Sequence, residues 1–416
     1  MAHRGEIPTA ESGPSTFQIT PGPMSDQSPF NHNAAVQDSL IAIENQDFMS
    51  DTPSQNLLLE SLAGQFFSEF GGIPPDLQYG QTSPTLEEEF SPAGSAARTE
   101  MRKSSQWANS WSRDTELDYH DRLNPQALGN SGDMDPYLLR NYQYDHLGGF
   151  RFKQLTIQSV CQGSLPTQFL LSQPGLFSSS REEMGLHQTS YDMLRKELES
   201  IVSADTGTRL VALFRRFIFP QYPVFSESLF PEPQSSPPFL LAAIYMVAQP
   251  FAKFDDVLSI ELAYETLNNP ALFKLINQAL QYESHNPGLS VVQTILLLVI
   301  RPSTNPLILE SSSKWSLHGQ LVSASQTLGL HYDPSSWNIA QWQITLRRRI
   351  SSTIYSVDKW LAATLGRPPL IMQDAWLVTS LEAEDALESS LSPETWSAHL
   401  RHARLGELLG QVLLKL

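Results

Sequence analysis

Between Trp342 and Leu365 the apolar residues fall on one side of a helix. Trp342, Leu346, Ile350, Ile354, Val357, Leu361 and Leu365 are separated by steps of 4, 4, 4, 3, 4 and 4. That spacing predicts a continuous buried stripe about six turns long. Asp358 and Lys359 stand beside the stripe, and Gly366 is placed to end the helix, since glycine accepts the left-handed conformation that closes one. Pro368 biases Arg367 toward extended backbone and turns the chain away. Arg367 is then expected to reach back toward the helix-end carbonyls or toward Asp358, as a structural clamp.

The same three-and-four spacing recurs upstream, with Pro or Gly at the breaks. Helices are predicted over Ser190–Val202, Thr208–Phe219, Pro237–Val247, Leu289–Ile300, Ser313–Leu328 and Asn338–Leu365. Asp255–Leu280 reads as two helices broken at Asn269-Pro270, and a last helix starts near Ser392. No alternating run of strand length separates them. The expected architecture is all-α over residues 136–416. The end, HARLGELLGQVLLKL, is still apolar and helical at Leu416. This predicts a domain that continues past this sequence, or a last helix that docks by its end.

The first third has a different texture. PGPMSDQSPFNHN and YGQTSPTLEEEFSPAGS are rich in Ser, Pro, Gly, Gln and Asn. Residues 1–135 are read as a long disordered acidic arm, with too little apolar area to offset the entropy of ordering. One island interrupts it, Asn56–Phe70, NLLLESLAGQFFSEF. Leu59, Leu62, Phe66 and Phe70 share a helical face there, and the segment is a candidate activation or docking element.

Charge sharpens that division. The chain of 416 residues carries a net −17. Twenty acidic against 6 basic residues fall in the first 135, leaving 24 against 21 for the rest. So acidic a chain lacks the electrostatic footprint of a phosphate-gripping domain. The one basic cluster of the body, Arg347, Arg348 and Arg349, points three ways around a helix and is expected to be solvated or salt-bridged, with phosphate contact or nuclear import as the lesser alternative. The longest apolar run, Leu289–Ile300, is too short to span a membrane. The N-terminus has no apolar signal region.

Candidate chemistry is sparse. The single cysteine, Cys161, rules out disulfides within the chain and any zinc site with two or more cysteine ligands. It is expected to be a semi-buried small residue. There is no glycine-rich phosphate loop and no nucleophile elbow. His399 and His402 lie three apart on one helical face, but no carboxylate pair completes a metal site with them. No catalytic, cofactor-binding or metal residues are assigned.

Several stretches together resemble the regulatory domain of fungus-specific transcription factors, the middle homology region. LRRRISSTIYSVDKWLAATLGRPPLI (346–371) is similar to the family's helix with an Arg-rich start, an Asp-Lys or Asp-Arg pair and a Gly-Arg-Pro exit. SKWSLHGQLVSASQTLGLHYDPSSWNI (313–339), LSVVQTILLLVI (289–300) and LFRRFIFPQYPVF (213–225) resemble its preceding helices in family order. DPYLLRNYQYD (135–145) resembles the lead-in of one subgroup, the nitrogen-metabolism coactivators. The resemblance implies an all-α helical regulatory domain, with Asp358, Lys359, Gly366, Arg367 and Pro368 as a structural motif. It implies a nuclear, non-enzymatic transcription regulator whose partners are other transcription factors or coactivators. Homo- or heterodimers fit, no membrane is involved, and DNA is met only indirectly or through other segments. Members usually carry a zinc-cluster DNA-binding domain. One cysteine cannot build it, so zinc is expected only in that separate module. The alternatives are a coactivator or competitor partner of a zinc-cluster factor, a structural adaptor, and a helical enzyme with an unrecognised pocket.

Overall fold

The computed structural model describes residues 117–118, 123–129, 139, 142–145 and 148–415, with short gaps at 153–154, 162–164, 188–189, 265 and 303–310. The segment Asn56–Phe70, with Leu59, Leu62, Phe66 and Phe70, lies outside the described residues.

The described part is mostly helical. Ten α-helices follow a small sheet among these residues: α1 (Ser178–Glu183), α2 (Tyr191–Ile201), α3 (Ala204–Phe217), α4 (Pro238–Ala248), α5 (Leu258–Tyr264), α6 (Asn269–Glu283), α7 (Leu289–Ile300), α8 (Ser311–Thr327), α9 (Gln341–Leu365) and α10 (Pro393–Leu413). Their starts follow local chemistry. The side chains of Ser190, Ser203, Asn268 and Ser392 each accept a hydrogen bond from a first-turn backbone N–H, satisfying donors that a helix leaves orphaned.

All eleven residues of α4 are buried, as are ten of the twelve in α7. Helices apolar on every side belong in the middle of a layered fold. Accordingly, α4 packs on α2, α3, α6 and α7, and α7 in turn on α8. Phe214, Phe225, Phe230 and Phe219 pack edge-on or tilted around the end of α3.

The sheet is the main departure from the expected all-α chain. Strands β1 (Asn124–Ala127), β2 (Gly149–Phe152), β3 (Leu155–Cys161) and β4 (Thr167–Ser172) form an antiparallel sheet in the order β1-β4-β3-β2. The residues of β3 and β4 hide the usual alternation because both faces are covered. Ile157, Gln158, Ser159 and Val160 are buried in succession. A strand covered on both sides gives no period-two pattern. Val160, Phe169 and Leu171 form a second core with Trp337, Ile339 and Ile344, and Leu117 joins it. The body therefore starts before residue 135: Leu117, Asp118 and β1 pack into it, so the expected boundary of the arm lies too far along the chain.

The last helix packs against α9 through small residues. Ala403, Gly406 and Gly410 are buried on its inner side. A Cβ added at Gly406 would stand 2.7 Å from Ser356 Oγ and 3.1 Å from Ser356 Cα, so the two backbones meet only because that side chain is absent. On the outer side Leu405, Leu408 and Val412 are 52, 55 and 53% exposed.

Candidate functional site

The apolar stripe of α9 predicts a helix with one wet face. The structure instead buries nearly the whole circumference from Gln343 to Ser351, arginines included. This helix is central, and each of its charged groups is used inside the fold.

The three arginines point about 100° apart, and each finds a different distant segment. Arg347 grips Asp118 through both oxygens, at 2.6 and 2.9 Å, and donates to Leu328 O at 2.9 Å. Its guanidinium lies 5.5 Å from the Phe169 ring centre and 5.4 Å from that of Trp337. Arg348 donates to Asp385 at 2.8 Å and to Asp333 at 3.1 Å, and also to Ser335, Thr379 and Ser380 O. Arg349 donates to four carbonyls, those of Pro223, Phe225, Asp385 and Leu387, at 2.8–3.1 Å. Of the two expectations for this cluster, the salt-bridged one holds for Arg347 and Arg348, and the solvated one is corrected: all three arginines are buried. A signal was present in the sequence. Residues 343–345 and 351–353 contain no carboxylate, so the run has no partner one helical turn away and has to find one elsewhere.

Electrostatics follow from that burial. Desolvation pulls the Arg349 guanidinium down to about 10, against the upward pull of Asp385 and Glu388. Asp333 is pushed up by burial, but hydrogen bonds from Ser335 and Thr379 outweigh this and hold it at about 2.

At the other end of α9, Asp358 and Lys359 form a second buried cluster. Asp358 is fully buried and accepts four hydrogen bonds: from His318 Nε2 on α8 at 2.8 Å, Lys359 Nζ at 2.9 Å, Leu370 N at 2.9 Å and Ile371 N at 3.2 Å. Burial raises its pKa, yet the bonds from His318 and Lys359 and their charge win and leave it lowered. Lys359 also donates to Ile371 O and lies 4.5 Å from the Tyr355 ring centre.

The Gly-Arg-Pro exit makes this possible. Gly366 takes φ 61°, and Arg367 N donates back to Ala362 O. This is the closing pattern of a Schellman cap. The reversal returns Leu370 and Ile371 to the carboxylate twelve and thirteen residues upstream. Arg367 does not join the cluster, contrary to the expected reach toward Asp358. Its guanidinium stands over the Trp315 ring of α8, 5.4 Å from the centre. Sequence reasoning missed His318, for which the only signal was a lone histidine within an otherwise ordinary helix.

What the arrangement can do chemically is limited. Asp358, His318 and Lys359 are buried and hydrogen-bonded to one another or to the returning backbone. A cleft between α9 and α10, lined by Ser352, Ser356, His399 and His402 among others, and one beside Tyr191 and Glu283 each offer about 10 Å³, room for about one water. His399 is buried and donates from Nδ1 to Gln221 O, while His402 is exposed and stacks on Trp360. No group of three His, Cys, Asp or Glu suited to a metal occurs among the described residues. Cys161 is half-buried, 3.6 Å from Ser336 Oγ. No helix among these residues is long and apolar enough to cross a membrane.

Two histidines make stability pH-dependent. Burial pulls both His331 and His399 from 6.5 down to about 4, and for His399 the charges of His402 and Arg349 add to this. Between those values the unfolded chain binds protons that the folded chain refuses. Stability is therefore full above about pH 6.5 and is lost as pH falls toward 4, by on the order of 3 kcal/mol per histidine. The Tm should drop between pH 7.5 and 4.5, and His399→Gln should shrink that drop. An unchanged difference in the variant would count against this assignment.

Comparison with known proteins places these features. The family described as fungal specific transcription factor domain matches residues 210–415. An uncharacterized transcriptional regulatory protein of Schizosaccharomyces pombe is 27% identical over 305 residues, covering 71% of this chain and 45% of that protein. The transcriptional activator protein DAL81 of Saccharomyces cerevisiae is 30% identical over 192 residues, 43% of this chain and 18% of that protein. The chain spans less than half the length of these relatives. No solved structure matches.

Proposed function

The chain belongs to the fungal specific transcription factor domain family, and from that premise we propose that it is a nuclear regulator working through protein contacts, without reading DNA itself. The observation that carries this reading is the inward orientation of Arg347, Arg348 and Arg349. The one basic cluster recognised in the body is tied to carboxylates and carbonyls, so it has nothing to offer a phosphate backbone. The net charge of −17 works in the same direction, and one cysteine supplies no zinc cluster within these 416 residues.

The Asp358–Lys359 cluster and the Gly366–Pro368 exit serve, in this reading, to fix the loop after α9 against α8. Neither of the two clefts described above has room for more than about one water, so neither supports the enzyme reading. The coactivator version draws on the same arginines: a chain with no DNA contact of its own has to borrow one from a zinc-cluster partner. The acidic amphipathic segment at 56–70 is the proposed activating element.

Fused to a foreign DNA-binding domain, the chain should change reporter output, and Phe66→Ala with Phe70→Ala should remove most of the change. The unfused chain should give no sequence-specific gel shift in about 0.15 M salt, where nonspecific contacts have weakened steeply. A shift that persists there would sink the indirect-contact reading, and an unaltered reporter would sink the regulatory one.

A further inference from the structure

We infer that the first two turns of α9 form a peptide-binding site for a Leu-Asp motif, now filled by the chain's own Leu117–Asp118. This deepens the protein-contact reading and rests on it. The site is built from three different recognition elements. Leu117 is 0% exposed and enters the core formed by Phe169, Trp337 and Ile344. Its backbone N–H donates to Gln343 Oε1 at 3.0 Å. One residue on, the Asp118 carboxylate meets the planar fork of Arg347, with side chains 2% exposed on both partners. Such two-point pairing fixes direction as well as charge.

Leucine at the first position and aspartate at the second are both specified. A polar side chain would leave the pocket unfilled. A longer glutamate would overreach an arginine already held by Leu328 O and framed by Phe169 and Trp337.

Although packed into the body, these two residues are attached to it as a strap. Leu117 and Asp118 adopt neither helix nor strand. Asp118 as a residue is half-buried although its carboxylate is sealed, so its backbone lies outside while its side chain points in. The partners Gln343 and Arg347 are 226 and 229 residues away in sequence, so nothing in the local chain imposes the contact. The amide nitrogen of Gln343 is buried with no acceptor. A segment that added a backbone carbonyl there would gain a bond that the present occupant does not supply. A partner regulator presenting Leu-Asp in an acidic segment fits this site once the strap is withdrawn.

The test uses the full chain and a fluorescein-labelled peptide of residues 113–122, RDTELDYHDR, read by anisotropy. The wild-type chain, with its site filled, should bind weakly. The variant Leu117→Ala/Asp118→Ala should bind at least about tenfold more tightly. A peptide carrying asparagine for the aspartate should lose that gain, as should the variant chain bearing Arg347→Met as well. Equal binding by wild type and variant, or indifference to the aspartate, would overturn the proposal. If the variant is recovered unfolded, it is refolded with and without excess peptide and followed by circular dichroism. Folding only in the presence of peptide supports the site through ligand linkage, and failure in both overturns it. Either outcome leaves the reporter result intact, so the two readings fail separately.

Discussion

Asp358→Ala is expected to cost on the order of 3–5 kcal/mol, the range seen when one partner of a buried ion pair is removed. The change leaves Lys359 charged in an enclosed site and strips acceptors from His318, Leu370 N and Ile371 N at once. Asp358→Asn should cost less, since an amide oxygen still accepts from the returning backbone. Adding Lys359→Met to Asp358→Ala should recover part of the loss by removing the stranded charge. It cannot recover all of it, because two backbone N–H groups stay unpaired. Arg367→Ala is the internal control. With a half-buried guanidinium over Trp315, it should cost about 0.5–1 kcal/mol. Chemical unfolding of the four variants checks the order. A loss at Asp358 no larger than that at Arg367 would show that the cluster does not hold the loop.

Arg349→Met is the second large effect. The arginine is ringed by four carbonyls and hydrogen-bonds no carboxylate, so its removal orphans acceptors and not a countercharge. Unpaired buried acceptors cost about 1–3 kcal/mol each, and partial relaxation brings the expected total to about 3–5 kcal/mol. Two of the carbonyls belong to Asp385 and Leu387, in the connection that leads into α10. That connection already holds Glu388 and Ser390 at φ 55° and 50°, a conformation that side-chain-bearing residues adopt at a cost. Without Arg349 the stretch should relax first. Limited proteolysis should cut the variant between residues 385 and 391 under conditions that spare the wild type. Arg349→Lys should restore only part of the protection, since an ammonium lacks the fork that spans carbonyls on both sides. A variant as resistant as wild type would show that the carbonyls find other donors.

Much of the helical body is legible in the sequence because its signals are local. Leu289–Ile300 is read with both ends correct, as an apolar run between Gly288 and Pro302. The α9 exit is legible because Gly366 and Pro368 act on their own backbone. What could not be read depends on neighbours distant in sequence. Strand β3 hides because Gln158 and Ser159 turn inward beside Ile157 and Val160, and only the layers packed over both faces explain why polar residues are tolerated there. The arginine partners are Asp118, Asp333 and Asp385. Nothing local marks them out from other aspartates. The Asp-Lys pair is visible as a motif, yet its role comes from a loop that returns only after the Gly366 reversal.

The long reach of Arg347 also has a consequence in time. Asp118 leaves the ribosome 229 residues before the arginine that will hold it. At about 5–20 residues per second, that interval is roughly 10–45 s of synthesis. Through all of it Leu117 and the inner face of the sheet have no core to enter, because Trp337, Ile339 and Ile344 arrive only with the start of α9. Over that interval the nascent chain therefore carries an unfinished apolar surface. Such a surface is prone to aggregate until the start of α9 is made and covers it.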